Sequence, residues 1–293
     1  MSGWLVTGAG GMLGRDLVAA LRAQGEDVTA MSRADLDVTS GPAVLAAVRG
    51  AEPGAVVNCA AWTAVDAAET APDLALAVNG DGAANVAAAC AVAGSPLVHV
   101  STDYVFSGDG DRPYAEYDVP APRTAYGRSK LAGERAVLGL LPGTAMVVRT
   151  AWLYGGAGPS FVHTMIRLAA QRQAVTVVDD QHGQPTWTAD VASQIITLVR
   201  RAAPAGIYHA TSGGSTTWHG LAREVFTLLG ADQALVRPTA SSACPRPAPR
   251  PAYSVLGHHR QALAGVATIG GWREALHRAW AAVGPEALAS PAR

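Results

Sequence analysis

A tyrosine and the only lysine of this 293-residue chain lie four positions apart, in the segment YGRSK at residues 126–130. If a helix begins here, the phenol of Tyr126 and the ammonium of Lys130 lie on one face, one turn apart. A neighbouring cation favours the phenolate, so we expect the pKa of Tyr126 to fall from about 10 towards the working range of a proton donor. Such a phenol can protonate the oxygen of a carbonyl that is being reduced.

Two counts argue against a chance pairing of these residues. Seven of the 293 residues are tyrosines, so a lone lysine falls four positions after one of them with a probability of about 7/293, or about 2%. The other 21 of the 22 basic residues are arginines, so a merely solvated cation at position 130 could have been arginine too. The retained amine indicates a need for a compact charge that a guanidinium does not replace.

A glycine-rich segment, TGAGGMLG at residues 7–14, carries the second chemical signal. It follows an apolar run that predicts a buried strand and precedes a helical pattern. Backbone N–H groups at a helix N-terminus bind a pyrophosphate, and glycines let it approach. The context therefore favours a dinucleotide site over an ordinary glycine turn. The predicted contacts are Gly8, Gly10, Gly11, Met12, Leu13 and Gly14.

The end of the second predicted strand, Met31-Ser32-Arg33, bears on which dinucleotide binds. An NAD site usually has Asp or Glu here for the ribose 2′-hydroxyl. Ser32 and Arg33 instead favour the 2′-phosphate of NADPH, with NADH as the alternative. Arg33 could equally be an ordinary solvated loop residue.

The segment Ser101-Thr102-Asp103 ends the fourth predicted strand, at the edge where open parallel sheets bind ligands. Thr102 could hydrogen-bond a carbonyl or alcohol oxygen of a substrate. The competing interpretation is a turn or helix cap, where these residue types are common.

Apolar runs alternate with helical patterns over the first two-thirds of the chain, which is typical of parallel strands covered on both faces. We expect an α/β fold, a Rossmann-like doubly wound parallel sheet with a smaller, discontinuous C-terminal substrate-binding domain. The predicted dinucleotide-binding domain spans 1–155, with 188–213 returning to it, and the substrate-binding domain comprises 156–187 and 214–293. The predicted strands are Trp4–Gly10, Val28–Ser32, Val56–Ala61, Leu97–Thr102, Met146–Leu153, Val175–Asp179 and Ile207–Ala210.

Composition excludes several other classes of protein. The net charge of −1 offers no electrostatic footprint for nucleic acid or an anionic membrane, and 49% hydrophobic residues exclude a disordered chain. Three separated cysteines without a CxxC pair predict a reducing compartment and no metal cluster. We see no signal peptide and no apolar stretch of about 18 residues, so we expect a cytoplasmic protein without a membrane partner.

Together these residues resemble the extended short-chain dehydrogenase/reductase family, and within it the dTDP-4-dehydrorhamnose reductase branch. The resemblance spans about residues 4–283. The matching stretches are TGAGGMLG (7–14), VNCAAWTAVDAAE (57–69), HVSTDYVFSG (99–108), YGRSKLAGE (126–134), VRTAWLYG (148–155), DDQHGQPTWT (179–188), SGGSTTWH (212–219) and RPAYSVL (250–256).

The resemblance implies an NADPH-dependent reduction at C4 of a dTDP-4-keto-6-deoxy-L-hexose, in rhamnose or related deoxysugar formation. It makes Tyr126 the proton donor, Lys130 the holder of the nicotinamide ribose and Thr102 the residue that orients the substrate oxygen. Further implied contacts are Asp37 and Val38 with adenine; Ala60, Ala61 and Trp62 beside the cofactor phosphates and ribose; Thr102, Asp103 and Trp152 with the substrate; and Arg250 with the nucleotide pyrophosphate. The family includes dimers, so a homodimer is one of the oligomeric states that the resemblance leaves open.

Alternatives remain within the same resemblance. Dehydratases of this fold place Asp and then Glu after the threonine, whereas Tyr104 follows Asp103 here. Other relatives resemble NADP-binding regulatory subunits of methionine adenosyltransferase without turnover, and reductases of antibiotic sugars look alike at this level. Some family dimers are bridged by a metal through acidic residues, but Arg15-Asp16 occupies the first such region, so we predict no metal. Trp62 replaces the usual His, and Trp218 is predicted as a core or interface residue.

Overall fold

The structure, a computed structural model, describes residues 3–289, so residues 1, 2 and 290–293 of the predicted domains lie outside the described part. The strands are β1 (Trp4–Thr7), β2 (Val28–Met31), β3 (Ala55–Asn58), β4 (Leu97–Thr102), β5 (Ala145–Thr150), β6 (Leu153–Tyr154), β7 (Val175–Val178), β8 (His182–Gly183), β9 (Thr186–Trp187), β10 (Gly206–His209), β11 (Thr216–Thr217) and β12 (Val236–Thr239). The α-helices are α1 (Met12–Ala23), α2 (Gly41–Ala51), α3 (Val65–Thr70), α4 (Pro72–Leu76), α5 (Gly82–Ala93), α6 (Ala125–Leu140), α7 (Phe161–Ala170), α8 (Thr188–Arg200), α9 (Trp218–Leu228), α10 (His259–Leu263) and α11 (Trp272–Ala289).

Six strands form one parallel sheet in the order β10-β5-β4-β3-β1-β2. The chain runs outward from β1 to β2 and then returns to the other side of β1 with β3, which creates a switch point where ligands bind in such sheets. Every residue of β1, β3 and β5 is buried, because helices cover both faces. The predicted doubly wound α/β class is confirmed.

Several strand predictions were wrong in their bounds, since β1 and β3 end three residues earlier than predicted. The run predicted as Met146–Leu153 divides into β5 and β6, because Trp152 adopts a left-handed backbone conformation with φ of 46°. Strand β7 lies outside the main sheet, in the predicted substrate-binding domain, and pairs in parallel with β12. An apolar run indicates a strand without specifying its partner, so this pairing was not predicted.

Three apolar clusters indicate how the chain is divided. One cluster packs α1 and α8 against one face of the main sheet, and a second packs α2, α5 and α6 against the other. A third lies outside the sheet and joins α7, α9 and the first part of α11. We therefore propose the division expected from the sequence, in which 188–213 returns to the first domain through α8 and β10.

The continuous helical segment Pro72–Ala93 is long and apolar enough in composition to cross a membrane, so the prediction that no stretch reaches this length was wrong. Half of the most apolar 18-residue stretch of this segment is buried inside the protein. Its second part, α5, packs Val86 and Ala87 into the cluster beneath the sheet. The segment therefore has the environment of a core helix.

Candidate functional site

A cavity of about 500 Å³ lies at the carboxyl ends of β3, β4 and β5, beside the glycine turn. It brings the two chemical signals of the sequence into one space, since its walls come from the glycine turn and from helix α6. The predicted site residues that line it are Gly11, Met12, Leu13, Gly14, Ala61, Thr102, Asp103, Tyr126, Lys130 and Trp152.

The glycine turn is shaped by two close backbone approaches. Gly8 has φ of 67°, and a Cβ there would lie 2.5 Å from the Ala60 amide nitrogen. A Cβ on Gly14 would lie 2.4 Å from the Gly8 carbonyl oxygen. Helix α1 then begins at Met12 with no side-chain cap from Gly11 and no acidic residue in its first turn. This helix N-terminus therefore offers its N–H groups and its dipole to an anion, which fits the pyrophosphate of a dinucleotide.

Helix α6 begins just before the tyrosine because Thr124 caps it. The Thr124 hydroxyl accepts the Gly127 N–H at 2.9 Å, and the Ala125 N–H donates to Glu69 Oε1 at 2.8 Å. Tyr126 and Lys130 therefore lie one helical turn apart, as predicted, and both line the cavity.

Lys130 is 2% exposed, and its ammonium lies against strand β4. Nζ donates to the Val100 carbonyl oxygen at 2.7 Å and lies 3.5 Å from His99 Nε2. Burial lowers the pKa of Lys130 to about 8, although the charge of Glu134 acts in the opposite direction. The amine therefore changes charge within the physiological range.

The expected lowering of the Tyr126 pKa was wrong for this structure. Burial removes the hydration of the phenolate and raises the pKa of Tyr126 to about 12. The Thr102 hydroxyl interacts with the phenol and lowers the value, while the charge of Asp103 raises it. Tyr126 is thus held as a neutral phenol, the protonated form that a proton donor needs.

Thr102 serves both as a cap and as a wall of the cavity. Its hydroxyl donates to Asp103 Oδ1 at 2.9 Å and accepts the Tyr104 N–H at 3.2 Å. Asp103 is 3% exposed, and burial raises its pKa to about 6 against the lowering effect of Ser254 and Thr102. The cap and the substrate interpretations of this segment are therefore compatible.

The raised pKa of Asp103 predicts a specific pH dependence of stability. The folded state binds the Asp103 proton more tightly than the unfolded state does. The contribution of this carboxyl to the free energy of unfolding is therefore fully present below about pH 4 and is lost as the pH rises through about 6. Asp103→Asn removes this loss. The free energy of unfolding of the variant relative to wild type should therefore rise by up to about 3 kcal/mol between about pH 4 and pH 8.

Urea titrations at several pH values measure this difference. Asp35→Asn is the matched control, because hydrogen bonds from Ser32 lower the pKa of Asp35, so its removal should shift the relative stability in the opposite direction. A pH-independent difference for Asp103→Asn would contradict the burial of an ionisable carboxyl at this position.

The residues predicted to contact the adenosine part of the cofactor follow the carboxyl end of β2 and do not line the cavity. The Ser32 hydroxyl donates to Asp35 Oδ2 at 2.6 Å, while Arg33 is exposed. Asp37 accepts from the amide and hydroxyl of Thr39. Val38 is buried, and its carbonyl oxygen accepts from Asn85 at 3.0 Å.

Trp62 and Arg250 do not line the cavity. The amide N–H of Trp62 donates to Asn79 Oδ1 at 2.8 Å, and its indole N–H donates to the Ala64 carbonyl. Arg250 makes a two-point ion pair with Asp66, at 2.9 and 2.8 Å, that joins the C-terminal loop to α3. Gly10 and Ala60 lie in the loops beside the cavity without lining it.

Sequence reasoning missed several residues that line the cavity, chiefly Trp218, Tyr104 and Cys59. The indole of Trp218 stacks on that of Trp152, with centroids 3.6 Å apart and planes at 7°. Tyr104 meets Tyr126 edge to face at 5.6 Å. The adjacency of Tyr104 to Thr102 was a usable signal, whereas nothing in the sequence linked positions 152 and 218.

No metal centre emerges from residues 3–284, the part of the chain whose side chains the structure describes, since no three His, Cys, Asp or Glu side chains group there as ligands. The three cysteines form no disulfide with one another, and Cys59 and Cys90 have thiol pKa values raised to about 12 by burial.

Known proteins of one family match this chain over almost its whole length. The model of the family described as the RmlD substrate binding domain matches residues 2–284. The chain is 57% identical over 284 residues to a dTDP-4-dehydrorhamnose reductase of Streptomyces griseus, covering 96% of this chain and 93% of that protein. It is 53% identical over 277 residues to a dTDP-4-keto-6-deoxy-D-glucose reductase of Streptomyces niveus, covering 94% and 96%. A solved dTDP-4-dehydrorhamnose reductase of Bacillus anthracis, in complex with NADP, is similar with a TM-score of 0.91 and 38% identity, covering 96% and 99%.

Proposed function

Because the chain belongs to the RmlD substrate binding domain family, we propose that it is an NADPH-dependent 4-ketoreductase of a dTDP-4-keto-6-deoxyhexose, in the manner of dTDP-4-dehydrorhamnose reductase. The resemblance found in the sequence is thereby confirmed. One observation of the structure carries the proposal: the glycine turn, Thr102, Tyr126 and Lys130 line a single cavity.

The residues of that cavity divide the reaction between them. NADPH, when bound, supplies the hydride that reduces the ketone carbon. Tyr126 gives its proton to the oxygen as it becomes an alcohol, while Thr102 orients that oxygen. Lys130 contributes positive charge and hydrogen-bond donors to the cofactor side, and the N–H groups of α1 hold the pyrophosphate.

The cavity argues against elimination of water as the main reaction. Asp103 is its acidic residue next to Thr102, and Tyr104 occupies the position at which a dehydratase would have its second carboxylate. Burial raises the pKa of Tyr104, so it stays a neutral phenol and cannot take the role of a carboxylate base.

Incubation with NADPH and a panel of dTDP-4-keto-6-deoxyhexoses tests the proposal. We expect oxidation of NADPH with one molecule of a dTDP-6-deoxysugar alcohol formed for each NADPH consumed. Product analysis by chromatography and NMR identifies the sugar and the configuration at C4. Binding of NADPH without oxidation across the panel would overturn the proposal in favour of a non-catalytic, regulatory subunit.

The exposed guanidinium of Arg33 predicts the cofactor preference. A 2′-phosphate next to Arg33 gains a charge-assisted hydrogen bond that NADH lacks. Arg33→Ala should therefore lower kcat/KM with NADPH by about tenfold and leave the value with NADH nearly unchanged. Arg22→Ala, an exposed arginine at the far end of α1, is the control. Equal losses with both cofactors would assign Arg33 another role.

We further infer a cytoplasmic enzyme that works on a small-molecule substrate. Three cysteines without a disulfide among them suit a reducing compartment. The near-neutral charge gives no reason to expect nucleic acid as a partner. A homodimer, one of the states that the family resemblance leaves open, is checked by the molar mass in solution.

A further inference from the structure

A buried chain of hydrogen-bonding groups runs from strand β1 across the sheet to the lysine of the cavity. Thr7, Asn58, His99 and Lys130 follow one another on β1, β3, β4 and α6. All four are at most 2% exposed. The reaction described above uses only the last of them, so the first three need an explanation of their own.

The orientation of the Asn58 amide is fixed by its neighbours. The Ala60 backbone N–H, which can only donate, lies 3.1 Å from Oδ1, and the Thr7 hydroxyl lies 2.8 Å from the same oxygen. The Asn58 NH₂ group therefore faces His99, with Nδ2 at 3.2 Å from Nδ1. Because an amide nitrogen only donates, His99 Nδ1 must be the acceptor.

This contact determines the tautomer of His99. Burial and the charge of Lys130 hold the pKa of His99 well below its ordinary value, so the ring is neutral and carries one proton. With Nδ1 accepting, the proton is on Nε2, which lies 3.5 Å from Lys130 Nζ. A protonated lysine then presents N–H groups to an N–H group, whereas a neutral lysine presents its lone pair.

We propose that His99 is a positioning residue that Asn58 holds in the Nε2–H tautomer, so that it turns a donor towards Lys130 and destabilises the protonated amine. The remaining contact of Nζ, with the Val100 carbonyl, is open to both forms but is stronger for the ammonium, so it opposes the effect of His99. The inference concerns the same cavity and rests on the proposed function for its role in turnover.

None of the other ionisable groups named around Lys130 opposes its protonation. Each favours the ammonium, is paired with another residue, or is neutral. Glu134, on the same helix, favours the ammonium but is itself paired with Arg149 and accepts from Ser101. Cys59, after β3, lies near the amine as a neutral thiol, because burial raises its pKa to about 12, so it supplies no charge there. Tyr126, one turn away, is a neutral phenol. His99 is thus the group that opposes protonation through a directed contact.

Burial lowers the pKa of Lys130 to about 8, and a donor turned towards it by His99 acts in the same direction, so the amine changes charge near that pH. Such an amine can pass a proton back to the cavity after Tyr126 has given one away, and can do so without a permanent buried charge. In the pH profile of kcat, the basic limb is then expected to follow the titration of Lys130.

The single lysine makes a direct measurement possible. Protein labelled with ¹³Cε-lysine and carrying no tag that contains lysine gives one lysine signal. Its chemical shift is followed from about pH 6 to about pH 11. We expect a midpoint near 8. Long-range ¹H–¹⁵N spectra of ¹⁵N-histidine protein report the tautomer, and the signal of His99 is the one that disappears in His99→Phe. A midpoint of about 10 or higher, or an Nδ1–H pattern for His99, overturns the proposal.

A substitution at position 58 inverts the tautomer. In Asn58→Asp the new carboxylate accepts from His99 Nδ1–H, which leaves the Nε2 lone pair for the ammonium. The Lys130 midpoint and the basic limb of kcat should both rise by about one pH unit or more. In the His99→Phe background the same substitution should produce less than half of that rise.

An equal rise in both backgrounds would mean that the new charge acts through space, and the proposal would fail. If the position-58 variant does not fold, the two measurements on wild-type protein decide alone. Because neither NMR readout requires turnover, their outcome is independent of whether the reductase assay succeeds.

Discussion

Exchange of Lys130 for Arg is expected to lower kcat for ketone reduction by about 100- to 10,000-fold, although the positive charge is retained. The amine fits a closed space, with Val100 O at 2.7 Å and His99 Nε2 at 3.5 Å from Nζ. A guanidinium is longer and planar, so it must displace one of these groups or enter the cavity. It also stays protonated at every pH that the protein survives, whereas the pKa of Lys130 is lowered to about 8.

Steady-state kinetics with NADPH and the ketosugar identified by product analysis measure this loss. Arg128→Lys, an exposed change on the same helix, should leave kcat unchanged. In the proposed mechanism Tyr126 and Lys130 act as a unit, so the double variant with Tyr126→Phe should be little slower than the slower single variant. Turnover of Lys130→Arg close to wild type would remove Lys130 from the mechanism.

The sequence was most informative where local chemistry decides the structure. Strand β4 was predicted to the residue, since the apolar run from Leu97 ends at the polar Thr102. The glycine turn was equally clear, because strand, glycines and helix follow one another within residues 4–23. A helix was expected to begin at the YGRSK segment, and α6 begins there at Ala125, where the structure shows Thr124 as its cap.

What sequence reasoning missed depends on contacts between distant segments. Trp152 and Trp218 stack although 66 positions separate them, and the left-handed backbone of Trp152 has no signature in its residue type. The direction of the Tyr126 pKa was wrong because the depth of the cavity, and hence the desolvation of the phenol, is a property of the packed protein. The contact between His99 and Asn58 was likewise not predictable, because it depends on the pairing of β3 with β4.

Removal of Glu134 alone is expected to destabilise the protein by about 3–5 kcal/mol, because it leaves Arg149 buried without its counter-ion. The two side chains are 2% and 1% exposed and meet at two points, with Nε–Oε1 at 2.9 Å and Nη2–Oε2 at 2.6 Å. Glu134 Oε1 also accepts from Ser101 at 2.6 Å. Through these contacts Glu134 links α6, which carries Tyr126 and Lys130, to Arg149 on β5 and to Ser101 on β4.

The design that isolates this effect compares single and double substitutions. Glu134→Leu should show the full loss in urea denaturation, whereas Glu134→Leu with Arg149→Met should recover most of it, since an apolar pair needs no counter-ion and Phe106 already lies 4.9 Å from the guanidinium. Asp109→Asn, which breaks an ion pair whose two side chains are more than half exposed, should change stability little. A single variant within about 1 kcal/mol of wild type would mean that water reaches Arg149. A double variant as unstable as the single one would show that the pair itself, and not the uncompensated charge, holds α6 on the sheet.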